Sequence, residues 1–207
     1  MSVARSAVWV LCAFALAVLA GCGRDVPRLA PLAQDAVVLA FGDSLTHGTG
    51  APKEESYPAH LERLIGRRVI GVGVPGEISA QGVARLAAVL DEHAPALLLL
   101  CHGGNDILRR MDLKQTAENL RAMIRMARDR GVAVVLIAVP QPGLALLPAP
   151  FYREVADELG VPLEERALAD ILADRTLKAD TIHPNATGYQ RLATAVASLL
   201  RRTGALD

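Results

Sequence analysis

The chain has 207 residues, with 22 basic and 22 acidic side chains and therefore no net charge. It has no basic run and no interleaving of Lys or Arg with aromatic residues, which argues against a nucleic-acid-binding protein. The length is sufficient for one domain with a substantial hydrophobic core.

The amino terminus predicts a secretion signal. Arg5 precedes an apolar stretch, Ala7–Ala20, which is shorter than the roughly 18 residues that a membrane span requires. Leu19-Ala20-Gly21-Cys22 resembles a bacterial lipoprotein processing box, which implies cleavage before Cys22 and lipidation of that residue. An ordinary signal peptide with an incidental cysteine is the alternative. We expect residues 1–21 to be a lipoprotein signal, 22–35 a lipidated tether and 36–207 the domain.

A lipidated Cys22 would anchor the protein in the bacterial cell envelope, because several acyl chains on one residue give durable membrane binding. Gly23 follows the cysteine where an aspartate would favour the inner membrane. We therefore expect the periplasmic face of the outer membrane if the cell is Gram-negative. Cys101 ends an apolar run, which is typical of a buried small side chain.

Strands and helices alternate along the rest of the chain. The predicted strands are Val37–Phe41, Arg68–Val72, Ala96–Cys101, Val132–Val139 and Val161–Leu163. The predicted helices are Tyr57–Ile65, Ser79–His93, Leu113–Arg130, Phe151–Leu159 and one from Asn185 or Ala186 to Arg201. Continuous apolar strands are typical of a sheet covered on both faces. The pattern predicts an α/β domain with a five-stranded, mostly parallel sheet between two layers of helices.

The segment Pro140–Pro150 is apolar and rich in proline, and it follows the carboxyl end of a predicted strand. Open α/β sheets bind their ligands at that edge. Leu144 and Leu146 are therefore candidates to line an acyl pocket. The alternative is a connector that packs only on its own domain.

Residues suited to nucleophilic acyl transfer occur at two places. Ser44, within Gly42-Asp43-Ser44-Leu45, follows the first predicted strand, and Asp180 and His183 lie three residues apart near the end of the chain. A serine hydroxyl is a weak nucleophile and needs a base, which His183 could supply while Asp180 orients the imidazole. The histidines lack a ligand pair such as His-x-x-x-His, so we expect neither a metal nor another cofactor.

Two further segments complete a pattern, Val72-Gly73-Val74-Pro75-Gly76 and Gly103-Gly104-Asn105-Asp106. In order and spacing the four segments resemble the blocks of the SGNH hydrolases, also called GDSL esterases and lipases. The resemblance extends from Val37 to the last helix and implies a three-layer, flavodoxin-like α/β/α fold. It implies that Ser44 is the nucleophile and that Asp180 and His183 are the acid and the base. It also implies an oxyanion hole formed by the N–H groups of Ser44 and Gly76 and the side chain of Asn105.

The chain departs from the family pattern at two positions. Gly71 stands where an asparagine is frequent, and His102 stands where an aliphatic residue is usual. His102 is a candidate for substrate contact, but packing beside the site is the favoured interpretation.

The resemblance implies a serine esterase of the thioesterase, arylesterase and lysophospholipase branch. Its substrate would be a small-molecule ester, a thioester or a lysolipid. One alternative is an O-acetylesterase acting on envelope glycans, although the chain after the signal has no tryptophan on which sugars could stack. Another is a non-catalytic envelope protein that keeps the fold, because a fold does not dictate an activity.

Overall fold

The computed structural model describes residues 26–143 and 145–207. The predicted signal, Cys22 and Leu144 lie outside the described residues. The strands are β1 (Val37–Gly42), β2 (Arg68–Gly73), β3 (Leu97–Cys101), β4 (Ala133–Ile137), β5 (Pro140–Gln141), β6 (Leu147–Pro148) and β7 (Leu163–Glu164). The α-helices are α1 (Ser44–His47), α2 (Tyr57–Ile65), α3 (Ser79–His93), α4 (Gly104–Leu108), α5 (Leu113–Arg128), α6 (Pro150–Leu159), α7 (Ala167–Ala173) and α8 (Ala186–Thr203).

The main sheet has five strands in the order β2-β1-β3-β4-β7, and every neighbouring pair is parallel. Helices α3, α5 and α6 pack on one face, and α2 and α8 pack on the other. This confirms the predicted α/β fold with helices on both faces. Because both faces are covered, β3 is buried along its whole length, from Leu97 to Cys101.

The helices form because their apolar residues recur at the helical period. In α3, Gly82, Leu86 and Leu90 are buried at four-residue spacing, which places them on one face. In α8 the side chain of Asn185 caps the first turn by accepting the Gly188 N–H at 3.0 Å. Such a cap satisfies one of the free amide groups at the start of a helix.

Several elements differ from the sequence-based expectation, among them the four-residue helix α1, which was not predicted. Helix α5 ends at Arg128 and not at Arg130, and the turn that follows contains Gly131 in a left-handed conformation, with φ of 74°. The short helices α4 and α7 were not predicted, because neither is long enough to display a period. The Pro140–Pro150 segment contains the antiparallel pair β5–β6, in which Pro140 lies opposite Pro148.

The predicted tether is not a free spacer where it is described. Leu29 N–H donates to Thr203 O at 3.0 Å, and Leu32 N–H donates to Ala205 O at 2.9 Å. The Leu32 side chain is also buried in the core. Residues 26–35 therefore lie on the domain beside the end of α8. None of the helices in the described ranges is long and apolar enough to cross a bilayer.

Candidate active site

The strand order reverses between β1 and β3. The chain leaves β1 for β2 on one side, whereas β3, β4 and β7 follow on the other side. In such sheets a crevice opens at the carboxyl ends of the two strands that flank the reversal. Gly42 of β1 pairs with Cys101 of β3 at that edge. Ser44 follows the first of these residues and Asn105 follows the second, so the topology brings both to one crevice.

The turn after β1 is held by Asp43. Its Oδ1 accepts the Leu45 N–H at 3.0 Å, which caps α1, and its Oδ2 accepts from Asn105 Nδ2 at 3.2 Å. Asp43 is 1% exposed. Burial raises the pKa of this carboxyl group, while His102 and the Leu45 N–H oppose the rise. Asp43 thus joins the serine turn to the Asn105 segment.

Ser44, His183 and Asp180 form a continuous line of hydrogen bonds. Ser44 Oγ lies 3.0 Å from His183 Nε2, and His183 Nδ1 lies 2.8 Å from Asp180 Oδ2. An ionised carboxylate only accepts, so Nδ1 carries the proton that is donated to Asp180. Nε2 is then the acceptor that faces the serine hydroxyl. These are the contacts that a base needs in order to take the serine proton.

The loop that carries the acid and the base is organised around Asp180. Its Oδ1 accepts the N–H groups of Ile182 at 2.8 Å and His183 at 2.9 Å. Burial tends to raise the pKa of Asp180, but the bonds from the His183 side chain and from the two backbone groups outweigh that effect and lower it. Asp180 is therefore ionised at neutral pH, although half of its side chain is exposed.

The oxyanion donors implied by the resemblance differ in their position relative to the cavity beside Ser44. Asn105 lines the cavity beside Ser44, and its Nδ2 donates to Glu77 O at 3.0 Å as well as to Asp43. Gly76 does not line that cavity, and it joins the site only through the neighbouring Glu77 carbonyl. Its φ of 78° favours glycine. In the described part of the chain, the N–H groups of Ser44 and Gly76 have no hydrogen-bond acceptor.

Ser44 and His183 open onto an apolar cavity of about 310 Å³, a size at the lower end of the range for small-molecule sites. Leu146 lines it, as the sequence analysis predicted, together with Pro140 and Pro142 of the same segment. Sequence reasoning missed several further lining residues: Leu45, Leu108, Val139, Leu172, Thr181 and Ile182. For Thr181 and Ile182 the sequence could have predicted this position, because they stand between Asp180 and His183.

The structure supports the packing interpretation of His102, and the candidate role in substrate contact is wrong. Its side chain is completely buried and is not part of the cavity wall. Nε2 lies 3.0 Å from Glu77 Oε2, and Nδ1 accepts the Gly103 N–H at 3.0 Å. Both ring nitrogens are therefore hydrogen-bonded inside the protein.

A larger cavity of about 690 Å³ lies against α6 and β7. Its wall contains no serine, cysteine or histidine, and the charged residues Arg153 and Glu165 within it are bonded to each other. At the smaller cavity the hydroxyl group of Ser44 is hydrogen-bonded to the imidazole of His183, and we take this cavity as the candidate active site. Within the described ranges, no cluster of three or more His, Cys, Asp or Glu side chains is placed to hold a metal ion.

The sheet topology and the Ser–His–Asp line define an α/β protein with the site architecture of a serine hydrolase. A family model for GDSL-like lipases and acylhydrolases matches residues 40–191. The chain belongs to this family.

Known relatives agree with that assignment. Esterase TesA of Pseudomonas aeruginosa is 36% identical over 110 residues, which cover 51% of this chain and 55% of that protein. This chain thus matches little more than half the length of that relative. Thioesterase 1/protease 1/lysophospholipase L1 of Escherichia coli K12 is 30% identical over 172 residues, covering 79% and 83%.

Among solved structures, AlinE4, an SGNH-hydrolase family esterase, superposes with a TM-score of 0.63 at 32% identity, covering 83% of this chain and 97% of that one. The SGNH resemblance of the sequence is confirmed by this fold.

Proposed function

We propose that this protein is a serine esterase that hydrolyses carboxylic esters or thioesters, with Ser44 as nucleophile, His183 as base and Asp180 as the acid that orients it. The observation that carries the proposal is the unbroken line from Ser44 Oγ through His183 to Asp180, with separations of 3.0 and 2.8 Å, at the wall of an apolar cavity. The activities named for the relatives support the same reaction class.

The geometry suits a two-step reaction. Ser44 Oγ attacks the carbonyl carbon while His183 Nε2 takes the serine proton, and Asp180 stabilises the resulting imidazolium. The proton then passes to the leaving alcohol or thiol, which departs and leaves an acyl group on Ser44. Water then loses a proton to His183 and attacks the acyl group. As the acid leaves, His183 returns that proton to Ser44 Oγ, which restores the serine.

The negative oxygen of each tetrahedral intermediate needs donors. The free N–H groups of Ser44 and Gly76 are suited to this, and each such donor contributes roughly 3–4 kcal/mol to the transition state. Asn105 Nδ2 is the third candidate. Its 3.2 Å bond to Asp43 is the longer of its two bonds, so this is the bond that we expect to yield when the oxyanion forms.

The cavity wall favours an acyl chain over a sugar. Its side chains include Leu45, Leu108, Leu146 and Leu172, and the described residues of the wall include no Phe, Tyr or Trp. Sugars bind well to aromatic faces, whereas aliphatic chains need only apolar surface. The proposed substrates are therefore small esters, thioesters or lysolipids, and an acetylated envelope glycan is the less favoured alternative.

Hydrolysis of a p-nitrophenyl ester series from acetate to palmitate, by the full chain in detergent, tests the proposal. We expect turnover that Ser44→Ala abolishes, together with covalent labelling of Ser44 by a fluorophosphonate. An optimum at medium or long chains would support an acyl pocket, whereas activity on acetate alone would favour the glycan esterase. A folded protein that neither turns over esters nor takes up the label would favour a non-catalytic envelope role.

We further propose that Cys22 is lipidated and holds the enzyme in the bacterial envelope, on the periplasmic side of the outer membrane in a Gram-negative cell. The apolar segment Ala7–Ala20 and the Leu-Ala-Gly-Cys sequence support this. Mass spectrometry of the amino-terminal peptide should find an acylated Cys22. Cys22→Ser should move the protein from the membrane fraction to the soluble fraction, and a wild-type peptide with an unmodified cysteine would contradict the proposal.

A further inference from the structure

Behind the candidate oxyanion hole lies a buried cluster of three charged or titratable side chains, Glu77, Arg85 and His102. The Glu77 side chain is 5% exposed and the His102 side chain is not exposed at all. Burying a carboxylate is costly unless it is paired and hydrogen-bonded. The proposed reaction assigns no chemical step to any of these residues.

The cluster is fully bonded. Arg85 Nε and Nη2 each donate to one Glu77 carboxylate oxygen at 2.7 Å. This is the two-pronged arrangement in which arginine binds carboxylates most strongly. The guanidinium also lies over the ring of Phe41, with its central carbon 3.9 Å from the ring centroid. Glu77 is thus fixed from one side by a cation that is itself immobilised.

His102 fixes Glu77 from the other side. The Gly103 N–H donates to Nδ1, so Nδ1 carries no proton. The proton of the neutral ring is then on Nε2, which donates to Glu77 Oε2 at 3.0 Å. Helix α3 packs directly on this imidazole at Gly82, where a Cβ would stand 2.6 Å from Nε2. No larger residue fits at position 82 without displacing the ring.

Each member of the cluster is attached to a segment that carries a candidate oxyanion donor. Glu77 directly follows Gly76, and its carbonyl accepts from Asn105 Nδ2 at 3.0 Å. His102 stands three residues before Asn105, and its own carbonyl accepts from Tyr152 Oη at 2.7 Å. Arg85 Nη2 donates to Gly42 O at 3.1 Å and to Val72 O at 2.9 Å.

We propose that Glu77, His102 and Arg85 form an oxyanion clamp that sets the position of the Asn105 amide relative to the Gly76 N–H. The clamp consists of positioning residues, because none of them reaches the cavity. His102 is the member that this chain adds, since the family pattern has an aliphatic residue at that place. Its Nε2–H links the Asn105 segment to Glu77 through a side chain, in addition to the backbone bond.

The clamp rests on the proposed esterase function. It predicts that substitutions in the clamp reduce stabilisation of the transition state but weaken substrate binding only slightly. His102→Leu keeps the bulk but removes the donor to Glu77. We expect its kcat to fall roughly 10-fold to 100-fold, less than the loss of a donor outright, while KM stays within about twofold. Binding of a trifluoromethyl ketone, which forms an oxyanion on Ser44, should weaken by the same factor as kcat/KM.

Two further variants separate positioning from packing. His102→Gln retains an N–H that can reach Glu77, so it should recover most of the kcat that His102→Leu loses. Glu165→Gln breaks the ion pair with Arg153 far from the site, and it should leave kcat and KM unchanged. Equal losses in the Leu and Gln variants, or a folded His102→Leu enzyme with wild-type kcat, would overturn the clamp.

A structural measurement distinguishes failure of the clamp from failure of the esterase proposal. In ¹⁵N NMR of the wild-type protein, His102 should show an unprotonated Nδ1 and a slowly exchanging Nε2 proton. The Asn105 side-chain amide should shift in His102→Leu and shift much less in His102→Gln. Wild-type protein without serine-dependent turnover would sink the esterase proposal alone. An Asn105 amide that is indifferent to both substitutions would sink the clamp, whether or not the protein hydrolyses esters.

Discussion

The acid–base side and the oxyanion side of the site are held in place in different ways. Asp180 bonds only to groups within three residues of itself, and half of its side chain is exposed. On the other side, Asn105 bonds to Asp43 and Glu77, which are 62 and 28 residues away in the chain. The bonds of Asp180 are thus local and its side chain is half solvated, whereas the Asn105 network is partly buried and joins the ends of three strands.

The difference indicates which part of the site depends on the rest of the fold. A loop that is closed by its own bonds can lose a functional side chain without disturbing the core. A buried polar network cannot lose a side chain in this way. Each partner that is left without a hydrogen bond stays buried, so the cost of removing it from water is no longer offset. Substitutions on the acid–base side should therefore impair catalysis almost alone, and substitutions on the oxyanion side should impair catalysis and stability together.

The largest effect is expected on the acid–base side. His183→Ala should lower kcat by about 10⁴-fold or more, because the serine loses its base. The free energy of unfolding should fall by less than about 1 kcal/mol, since the backbone bonds of the loop to Asp180 remain. Steady-state kinetics and urea denaturation measure the two quantities. A large drop in stability would show that the loop is not self-supporting.

An intermediate effect on rate, with a clear effect on stability, is expected at Asn105. Asn105→Ala should lower kcat roughly 100-fold to 1,000-fold through loss of an oxyanion donor. It should also cost about 1–3 kcal/mol of stability, because Asp43 Oδ2 and Glu77 O lose their donor. The same kinetics and denaturation series would measure both losses.

Asn119 provides the matched control for that substitution. Its Nδ2 donates to Ser79 Oγ at 2.8 Å, away from the cavity. Asn119→Ala should therefore lower stability while kcat stays at the wild-type value. If Asn105→Ala were as stable as wild type, the two sides of the site would not differ in the way the bonding suggests.

The contrast also explains what the sequence could reveal. The structure brings Ser44 together with His183 and Asp180. These residues could be proposed from the sequence because each depends on a short stretch of chain and, for the serine, on the end of an apolar strand. Such local arrangements can be recognised from the spacing of the residues in the sequence. The five strands of the main sheet were predicted for the same reason, and their observed bounds differ from the prediction by no more than two residues at either end.

The buried side of the site could not be predicted in the same way. The partnership of His102 with Glu77 joins residues 25 positions apart, and no spacing rule connects them. The sequence therefore favoured packing for His102 but could not name the partners of its ring, and it left substrate contact open. The docking of residues 26–35 on α8 was missed for the same reason, because two of its backbone bonds reach Thr203 and Ala205 at the far end of the chain.

The smallest expected effect concerns the pH dependence of stability at Asp180. The folded-state pKa of this carboxyl group lies below its usual value of about 3.9. A lowered pKa means that its contribution is present in full above the unfolded value and is lost as the pH falls through the folded value. Wild type should therefore lose stability relative to Asp180→Asn as the pH falls from about 5 to about 3.

The difference should be small, because Asp180 is half exposed and water screens its charge. Its origin can still be tested with salt. Hydrogen bonds from the Ile182 and His183 N–H groups have short range and should persist in about 0.5 M NaCl, whereas attraction to distant charges is screened at that ionic strength. Urea denaturation of both proteins at low and high salt measures the difference. If the stability difference between wild type and Asp180→Asn disappeared at high salt, distant charges, and not the local bonds of the loop, would be what lowers the pKa of Asp180.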